Sequence, residues 1–493
     1  MTIAETLAGV NLAEPLPEDL ARAGAGGLSC DSRRVEPGGL FFAFIGELFD
    51  GRQFAGQAMD RGAVAVVCET PKPHDFAGPW IQVDHGRHAL ALAARNTYGE
   101  ALKTVSITGI TGTNGKTTAA YLADSISRAA GNTTAMVGTI EHHLAGQPQK
   151  SINTTPESLD LYRTIDRLSG LGGTNATMEV SSHALAQGRV HGMPFHTAVF
   201  TNLTRDHLDY HGTLEEYFAA KQLLFTGEPA PRYAVLNRDD EWARKIQTAS
   251  GTEVMWYGFG GGAGVRASDV RAGFDGLRFT VTWGGERMEV ASPLLGNINA
   301  YNILAAIGAG LTYGFSPDKI LEGIAACQSV PGRFQRIEEG QPFLVLVDYA
   351  HTDDALRNVI AAARELHPNR VITVFGCGGD RDRTKRPLMG QAAGAGSDYV
   401  VLTSDNPRSE DALAIMNDAL VGLRRQEVEH TMEPDREAAI RLALSKANAG
   451  DLVLIAGKGH ETYQILRDGT IPFDDREVAR RLLRDFGYGR DAE

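Results

Sequence analysis

Short apolar runs recur along this chain, most closed by a Gly-rich or polar loop and several followed by a stretch of helical period. LFFAFIG (40–46) and AVAVVCE (63–69) read as strands, and HGRHALALAARNT (85–97) reads as a helix. A buried strand is expected at TVSIT (104–108), then a loop, GITGTNGKTT, then a helix, AAYLADSISRAA. ATMEV (176–180), TAVFT (197–201) and YAVL (233–236) continue the pattern, which closes on a helical stretch, NAYNILAAIGAGLTYG, and a PGR tripeptide at 331–333. The last third repeats it with FLVLVDYA (343–350), VITVFG (371–376), YVVLTSD (399–405) and DLVLIAG (451–457). Strand–loop–helix alternation predicts an α/β fold with parallel sheets and crossover helices. At roughly 100–200 residues per domain, 493 residues suggest about three domains, which we place at 1–98, 99–330 and 331–493. Sites in such sheets form outside the carboxyl ends of the strands, where DYAH, GCGGDRDR, SDNPR and GKGHE lie.

Composition narrows the class. Glycine makes up 56 residues, about 11% against a usual ~7%, as expected where many strands end in tight turns. A formal net charge of −13 argues against a surface that coats nucleic acid. None of the four cysteines (Cys30, Cys68, Cys327, Cys377) forms a C-x-x-C pair, so neither a disulfide framework nor a structural zinc site is expected. The first residues lack a basic start and a continuous apolar core, and no apolar run approaches the ~20 residues needed to span a bilayer. The expected location is the cytoplasm, without membrane insertion, and the expected state is a monomer.

The chemistry is concentrated in a few loops. Gly112-Thr113-Asn114-Gly115-Lys116-Thr117-Thr118 lies between a strand and a helix, where backbone N–H groups and the helix N-terminus cradle phosphates. Lys116 is placed to reach the outer phosphates and Thr117 to ligate Mg²⁺. Ile110 stands where the strict P-loop pattern has Gly, so the match is to the shorter G-x-x-G-K-T. The bland alternative is a Gly-rich turn with a chance lysine; the strand–loop–helix context disfavours it. Glu179 near a strand end and His207 in TNLTRDHLDYHG suit a Mg²⁺ site, although a lone histidine there more often reads as a structural hydrogen-bonding group. In TLEEYFAAKQLLF, Lys221 shares a helix face with Leu214, Tyr217, Phe218, Leu224 and Phe225. Either it snorkels to the rim, or it is modified or paired in an active site.

Together, TGTNGKTT (111–118), NTTP (153–156), MEVSSHAL (178–185), TNLTRDHLDYHG (201–212), Lys221, GNINAYN (296–302), PGR, DYAH, GCGGDRDRTKRP (376–387), DNPR (405–408) and GKGHE (457–461) resemble the Mur ligase family. The likeness covers nearly the whole chain, and is greatest to members that add the third residue of the peptidoglycan stem peptide. It implies an N-terminal UDP-binding domain, a central P-loop ATPase domain and a C-terminal Rossmann-like domain that brings the amino acid. It implies that Ser32 touches the uridine part, and that Asn153, Thr154, Thr155, Ser181, Gln187 and Arg189 hold a UDP-N-acetylmuramoyl-dipeptide. It implies that Asn302, Arg333 and the DYAH loop (Asp348, His351) contact ATP, and that Lys221 is carbamylated and joins Thr117, Glu179 and His207 around Mg²⁺. The catalytic set is then Lys116, Lys221, Glu179 and His207.

The reaction implied is phosphorylation of the D-glutamyl side-chain carboxylate by ATP, then attack by an amine. For that amine, Arg381, Asp405, Asn406, Pro407, Arg408, Gly457 and Glu461 form a pocket with both charge signs. Arg408 offers a planar fork for a carboxylate. That suits meso-diaminopimelate, which carries a distal ammonium and a distal carboxylate, above L-lysine. Taken alone, Asn-Pro-Arg reads as a plain turn with an exposed arginine. A lysine-adding ligase and a folylpolyglutamate synthetase-like ligase are the nearest alternatives; about 98 residues before the P-loop disfavour the second. A P-loop kinase or a non-catalytic nucleotide-binding module leaves the C-terminal loops unexplained. One departure from the family pattern is Asp353, where DYAH-T is usually followed by Pro; a local effect only is expected.

Overall fold

The structure, a computed structural model, describes residues 1–46, 50–151 and 153–489. The chain forms two compact units, Met1–Val265 with Ala305–Ile320, and Arg266–Leu304 with Leu321–Glu493.

The first unit begins with a parallel sheet of Leu28–Ser29, Leu40–Phe42, Ala65–Cys68 and Trp80–Gln82, in that order. The helix Gly86–Tyr98 buries Ala89, Leu90, Ala93 and Ala94 in an apolar core that also takes in Leu161, Ile165 and Leu168 of the helix Ser158–Gly170. Spans 1–98 and 99 onward therefore share one continuous core. A second sheet runs in the order Glu253–Gly258, Tyr233–Asn237, Thr197–Phe200, Ser106–Thr111, Asn175–Glu179, Thr134–Val137, all parallel. An antiparallel hairpin, Glu141–Leu144 and Gln147–Lys150, extends its edge. Its turn residues Ala145 and Gly146 both have positive φ (50° and 79°), the geometry of a tight hairpin loop. Ser106–Thr111 lies between a strand that follows it and another from further along the chain, so the loop after it opens at a topological switch point.

The second unit carries a six-stranded sheet in the order Gln335–Ile337, Leu344–Asp348, Leu452–Ala456, Val371–Cys377, Tyr399–Ser404, Glu429–Glu433, parallel except for the first strand. Strand side chains alternate between two cores, as the period of two requires. Leu344, Leu346, Leu452 and Leu454 face helices Asp353–Arg364, Lys385–Gly396 and Ala412–Leu423; Val345, Val347, Val453 and Ile455 face Arg436–Lys446 and Asp475–Asp485. Strands Gly276–Trp283 and Glu286–Ser292 pair antiparallel in this unit. Asp353 is the first residue of its helix, capped by Thr352 Oγ, which accepts from Ala355 N at 3.2 Å. Proline and an acidic residue both suit that position, so Asp353 in place of the usual Pro leaves the helix start sound. Among the described residues, no helix is long and apolar enough to cross a membrane, and all four cysteines are free thiols.

Candidate active site

The phosphate loop joins Ser106–Thr111 to the helix Lys116–Ala129. Gly112 (φ 144°) has no room for a side chain, since a Cβ would collide with Thr201 Oγ1. Gly115 (φ 86°) is the left-handed N-cap of the helix. The segment after Thr197–Phe200 clamps the loop. Thr113 N donates to Asn202 O at 2.8 Å, Asn114 N donates to Asn202 Oδ1 at 3.0 Å, and Thr201 Oγ1 donates to Asn114 O at 2.6 Å. Lys116 Nζ lies back on the loop, donating to Gly112 O and Thr113 O at 2.9 Å each. Thr118 is buried in the first turn.

Glu179, the last residue of its strand, is buried and gathers three donors. Thr117 Oγ1 (2.9 Å), Thr139 N (2.7 Å) and Thr139 Oγ1 (3.0 Å) all donate to its carboxylate. A threonine hydroxyl that gives its proton to a carboxylate keeps its lone pairs for a cation. Thr139 had no distinguishing mark in the sequence. Among the described residues, no three His, Cys, Asp or Glu side chains gather as a metal cluster. Thr117 Oγ1 and the Glu179 carboxylate are the hard oxygen donors that Mg²⁺ takes, one or two at a time, beside phosphate oxygens and water. His207 has its contacts elsewhere. It has a left-handed backbone (φ 52°), pairs with Asp206 at 3.5 Å, and joins a ring cluster with His183 and Tyr217. Desolvation lowers its pKa most, Asp206 opposes, and His183, Lys116 and Lys221 add to the lowering.

Lys221 does not reach a rim. It is 1% exposed on the helix Leu214–Thr226, which opens with a capping box of Thr213 and Glu216. Its Nζ donates to Gly112 O at 2.8 Å, the carbonyl that Lys116 also uses, and lies 4.5 Å from the Tyr217 ring centre. Burial first, and Lys116 second, hold its pKa well below the ordinary lysine value, against Asp206.

The residues expected around the nucleotide-linked peptide lie mostly together. Thr154 Oγ1 is 3.1 Å from Thr139 Oγ1, and Thr155 Oγ1 donates to Glu179 O at 2.9 Å while accepting from Ser181 N at 3.0 Å. Ser181 caps the helix Ser182–Ala186. Arg189 donates to Thr155 O at 2.8 Å and to Gln187 Oε1 at 2.7 Å, and Gln187 Nε2 lies 3.4 Å from Tyr210 Oη. Asn153 is exposed and accepts from Ser151 Oγ at 3.1 Å. Ser32 stands apart on the 3₁₀ turn Ser32–Arg34, its buried hydroxyl donating to Gln57 Oε1 at 2.6 Å.

The other expected nucleotide contacts belong to the second unit. Asn302 is buried on the helix Asn297–Thr312 and donates to Asn299 Oδ1 at 2.9 Å. Arg333 lies 4.6 Å from the Tyr349 ring centre, and its Nε is buried with no acceptor among the described residues. Asp348 accepts from Phe334 N (2.7 Å) and Ala350 N (2.8 Å); burial pushes its pKa up against Arg333 and these bonds. His351 Nδ1 is 2.9 Å from Tyr349 O.

The amino-acid loops converge at the carboxyl ends of Val371–Cys377, Tyr399–Ser404 and Leu452–Ala456. Asn406 is spent on bracing them. It donates to Glu461 Oε2 (2.9 Å) and accepts from Lys458 Nζ (3.1 Å) and Ile465 N (2.9 Å). Asp405 lies 3.9 Å from Lys458 Nζ, and a Cβ on Gly457 would come within 2.7 Å of Asp405 Oδ2. Arg408, with Pro407 buried before it, has a left-handed backbone (φ 53°) and donates one Nη to Gly379 O at 2.6 Å. Arg381 is exposed and donates to Asp380 O at 3.1 Å. Glu410 ties the two loops by accepting from Asp380 N (2.6 Å) and Arg386 (2.7 Å), and the Arg386 guanidinium holds its carboxyl at about 2. Glu410, Arg386, Lys458 and Arg436 carry no local signal in the sequence, because each has a partner far along the chain.

Three family descriptions match the chain: Mur ligase family, catalytic domain, over 25–98; Mur ligase middle domain, over 110–310; and Mur ligase, glutamate ligase domain, over 332–459. A relative from Solibacter usitatus (strain Ellin6076), named UDP-N-acetylmuramoyl-L-alanyl-D-glutamate--2,6-diaminopimelate ligase, is 61% identical over 490 residues, 99% of each chain. A solved structure of a ligase of that name matches with TM-score 0.72 and 35% identity, covering 99% of this chain and all of that one. The MurF ligase from Thermotoga maritima, solved with ADP, matches with TM-score 0.63 at 19% identity over 93% and 97% of the two chains, a likeness of fold.

Proposed function

Because the chain belongs to the Mur ligase family, we propose that it is the ATP-dependent ligase that adds meso-diaminopimelate to UDP-N-acetylmuramoyl-L-alanyl-D-glutamate in peptidoglycan precursor synthesis. The observation that carries this reading is the full-length likeness to a ligase of that name, 61% over 99% of both chains. The pocket of opposed charges around Arg408 and Glu461 supports the choice of amino acid. We assign the UDP-substrate to span 1–98 with the 153–189 loops, ATP to span 99–330, and the amino acid to span 331–493. Both substrates are water-soluble, and we place the enzyme in the cytoplasm as a monomer, with no nucleic-acid partner.

A carboxylate does not acylate an amine, because oxide is too poor a leaving group. In the proposed reaction the D-glutamyl side-chain carboxylate attacks the γ-phosphorus of ATP, ADP leaves, and an acyl phosphate results. The diaminopimelate amine then attacks the acyl carbon, loses a proton, and expels inorganic phosphate. Phosphoryl transfer is governed by positioning and charge stabilisation. The loop Gly112–Thr118 holds the phosphates through the N–H groups at its helix start, with Thr113 N and Asn114 N engaged by Asn202, and Lys116 moves from the Gly112 and Thr113 carbonyls to the outer phosphates. Thr117, Glu179, His207 and Lys221 would hold Mg²⁺, which when bound neutralises charge on the phosphates. Lys221 serves as a carbamate, formed when its neutral amine adds CO₂ and releases a proton; the anion relieves the two-lysine crowding at Gly112 O. Arg333, Asn302, Asp348 and His351 are the further nucleotide contacts that the family likeness implies. Arg189, Gln187, Asn153, Thr154, Thr155, Ser181 and Ser32 hold the UDP-linked peptide.

Arg408 is anchored through one Nη to Gly379 O, which leaves the remaining guanidinium donors for the distal carboxylate of diaminopimelate. A two-point charged contact contributes about 1.5–3 kcal/mol, roughly tenfold to a hundredfold in selectivity. Phosphate release from ATP with the UDP-muramoyl-dipeptide, with and without each amino acid, tests the reading. Release is expected with meso-diaminopimelate, with strong preference over L-lysine, and Arg408→Ala should erase that preference. Equal kcat/KM for the two amino acids with the unaltered enzyme refutes the assignment.

A further inference from the structure

Beneath the amino-acid loops lies a row of alternating charges. Asp475 and Arg436, both fully buried, form a two-point pair with 2.8 Å contacts. Arg436 also donates to Ser404 O (3.2 Å) and Ala456 O (2.9 Å), the last residues of the strands that lead into DNPR and GKGHE. Next come Asp405, whose charge Arg436 feels, then Lys458 at 3.9 Å, then Glu461 at 2.9 Å from Lys458 Nζ. Lys458 is 0% exposed, and its Nζ also donates to Asn406 Oδ1 at 3.1 Å. Three carboxylates and two cations leave the row one negative charge, at the end where Glu461 opens to the pocket beside Arg408.

We propose that Lys458 is a specificity-determining positioning residue: its buried charge offsets the Asp405–Glu461 pair, so that the pocket accepts a distal carboxylate together with a distal ammonium. This rests on the diaminopimelate reading above. Without the Lys458 charge, two uncompensated carboxylates face the substrate. A lysine side chain, which offers only an ammonium, gains from the added negative field. Diaminopimelate gains at its ammonium but loses at its distal carboxylate. The charge change therefore acts differently on the two amino acids and narrows the preference, whereas a purely structural loss weakens both alike.

The test measures kcat and KM for meso-diaminopimelate and L-lysine in the full-length enzyme and in Lys458→Met, Lys458→Gln and Lys458→Arg. In the Met and Gln variants the diaminopimelate-to-lysine ratio of kcat/KM is expected to fall roughly tenfold or more, chiefly through KM for diaminopimelate, with KM for ATP unchanged. Lys458→Arg keeps the charge and should keep the ratio. Lys458→Gln retains a donor toward Asn406 and Glu461, so it decides the matter if Lys458→Met does not fold. An unchanged ratio in a folded Gln or Met variant, or an equal loss in Lys458→Arg, overturns the proposal. If the unaltered enzyme releases phosphate with neither amino acid, the function itself is misread; if it discriminates and the Gln variant discriminates equally, the Lys458 proposal alone fails.

Discussion

Replacing Asp475 by Asn removes one charge and almost no volume, and so isolates what the buried pair does. The Arg436 guanidinium makes two contacts to Asp475 and one each to Ser404 O and Ala456 O, and both side chains are 0% exposed. Asp475→Asn leaves that cation buried without its counter-ion, a loss of about 3–5 kcal/mol. An exposed pair such as Arg480–Glu477 contributes at most about 1 kcal/mol. In a unit of this size each kcal/mol moves the transition by about 2–4 °C, so the unfolding of the C-terminal part should fall by roughly 6–20 °C. Replacing both partners by apolar residues, Arg436→Met with Asp475→Leu, removes the stranded charge. It also leaves the Ser404 and Ala456 carbonyls without that donor, about 1–3 kcal/mol each and so about 2–6 kcal/mol together, a loss of the same order as that in Asp475→Asn. Calorimetry of the full chain reads both effects, and the KM for the amino acid should rise in Asp475→Asn because the DNPR and GKGHE loops share this anchor. A loss under about 1 kcal/mol in Asp475→Asn, or an unchanged KM for the amino acid in that variant, refutes the reasoning.

Lys116→Ala should abolish ligation while UDP-substrate binding, measured by calorimetric titration, stays near normal; near-normal turnover would sink the phosphate-loop assignment. Lys221→Ala should be nearly inactive and regain part of its activity with short carboxylic acids in solution, which stand in for the carbamate; an unmodified ammonium in the ATP- and Mg²⁺-bound enzyme, read from mass or density at that side chain, excludes the idea. His88 is held at about 4 by burial first and then by His191 and His85, which stack on it at 3.9 and 3.8 Å. A folded-state pKa below the unfolded one means that the unfolded chain binds more protons between about 6.5 and 4. Stability from this group is present above 6.5 and drains away as pH falls toward 4, so the drop in melting temperature from pH 7 to 5 should be smaller in His88→Gln than in the unaltered protein. An equal drop in both would remove His88 from the account.

Local pattern was enough for the central parallel strands and for the loops at their carboxyl ends, because strand period, glycine turns and helix spacing are properties of neighbouring residues; Thr134–Val137, Glu253–Gly258 and Glu429–Glu433, also parallel, are not legible that way. The phosphate loop needs left-handed glycines and a helix start within a few positions, and the strand Ser106–Thr111 and helix Lys116–Ala129 supply that context. Lys221 also announced itself, since a lysine on an apolar helix face has few places to go. The hairpin Glu141–Lys150 carried too little hydrophobic alternation to be read, and its strand Gln147–Lys150 is wholly exposed. What the amino-acid order could not say is which charges meet. Lys116 and Lys221 share the Gly112 carbonyl although 105 positions separate them, and Thr139 reaches Glu179 across 40. Asn406 turned out to brace Lys458 and Glu461, and Arg436 meets Asp475 beneath two strand ends. Such pairings depend on strand order and register, which bring distant segments within 3 Å. Burial then raises the cost of any charge left unpaired, and that tertiary fact decides which polar residues serve chemistry and which hold the site in shape.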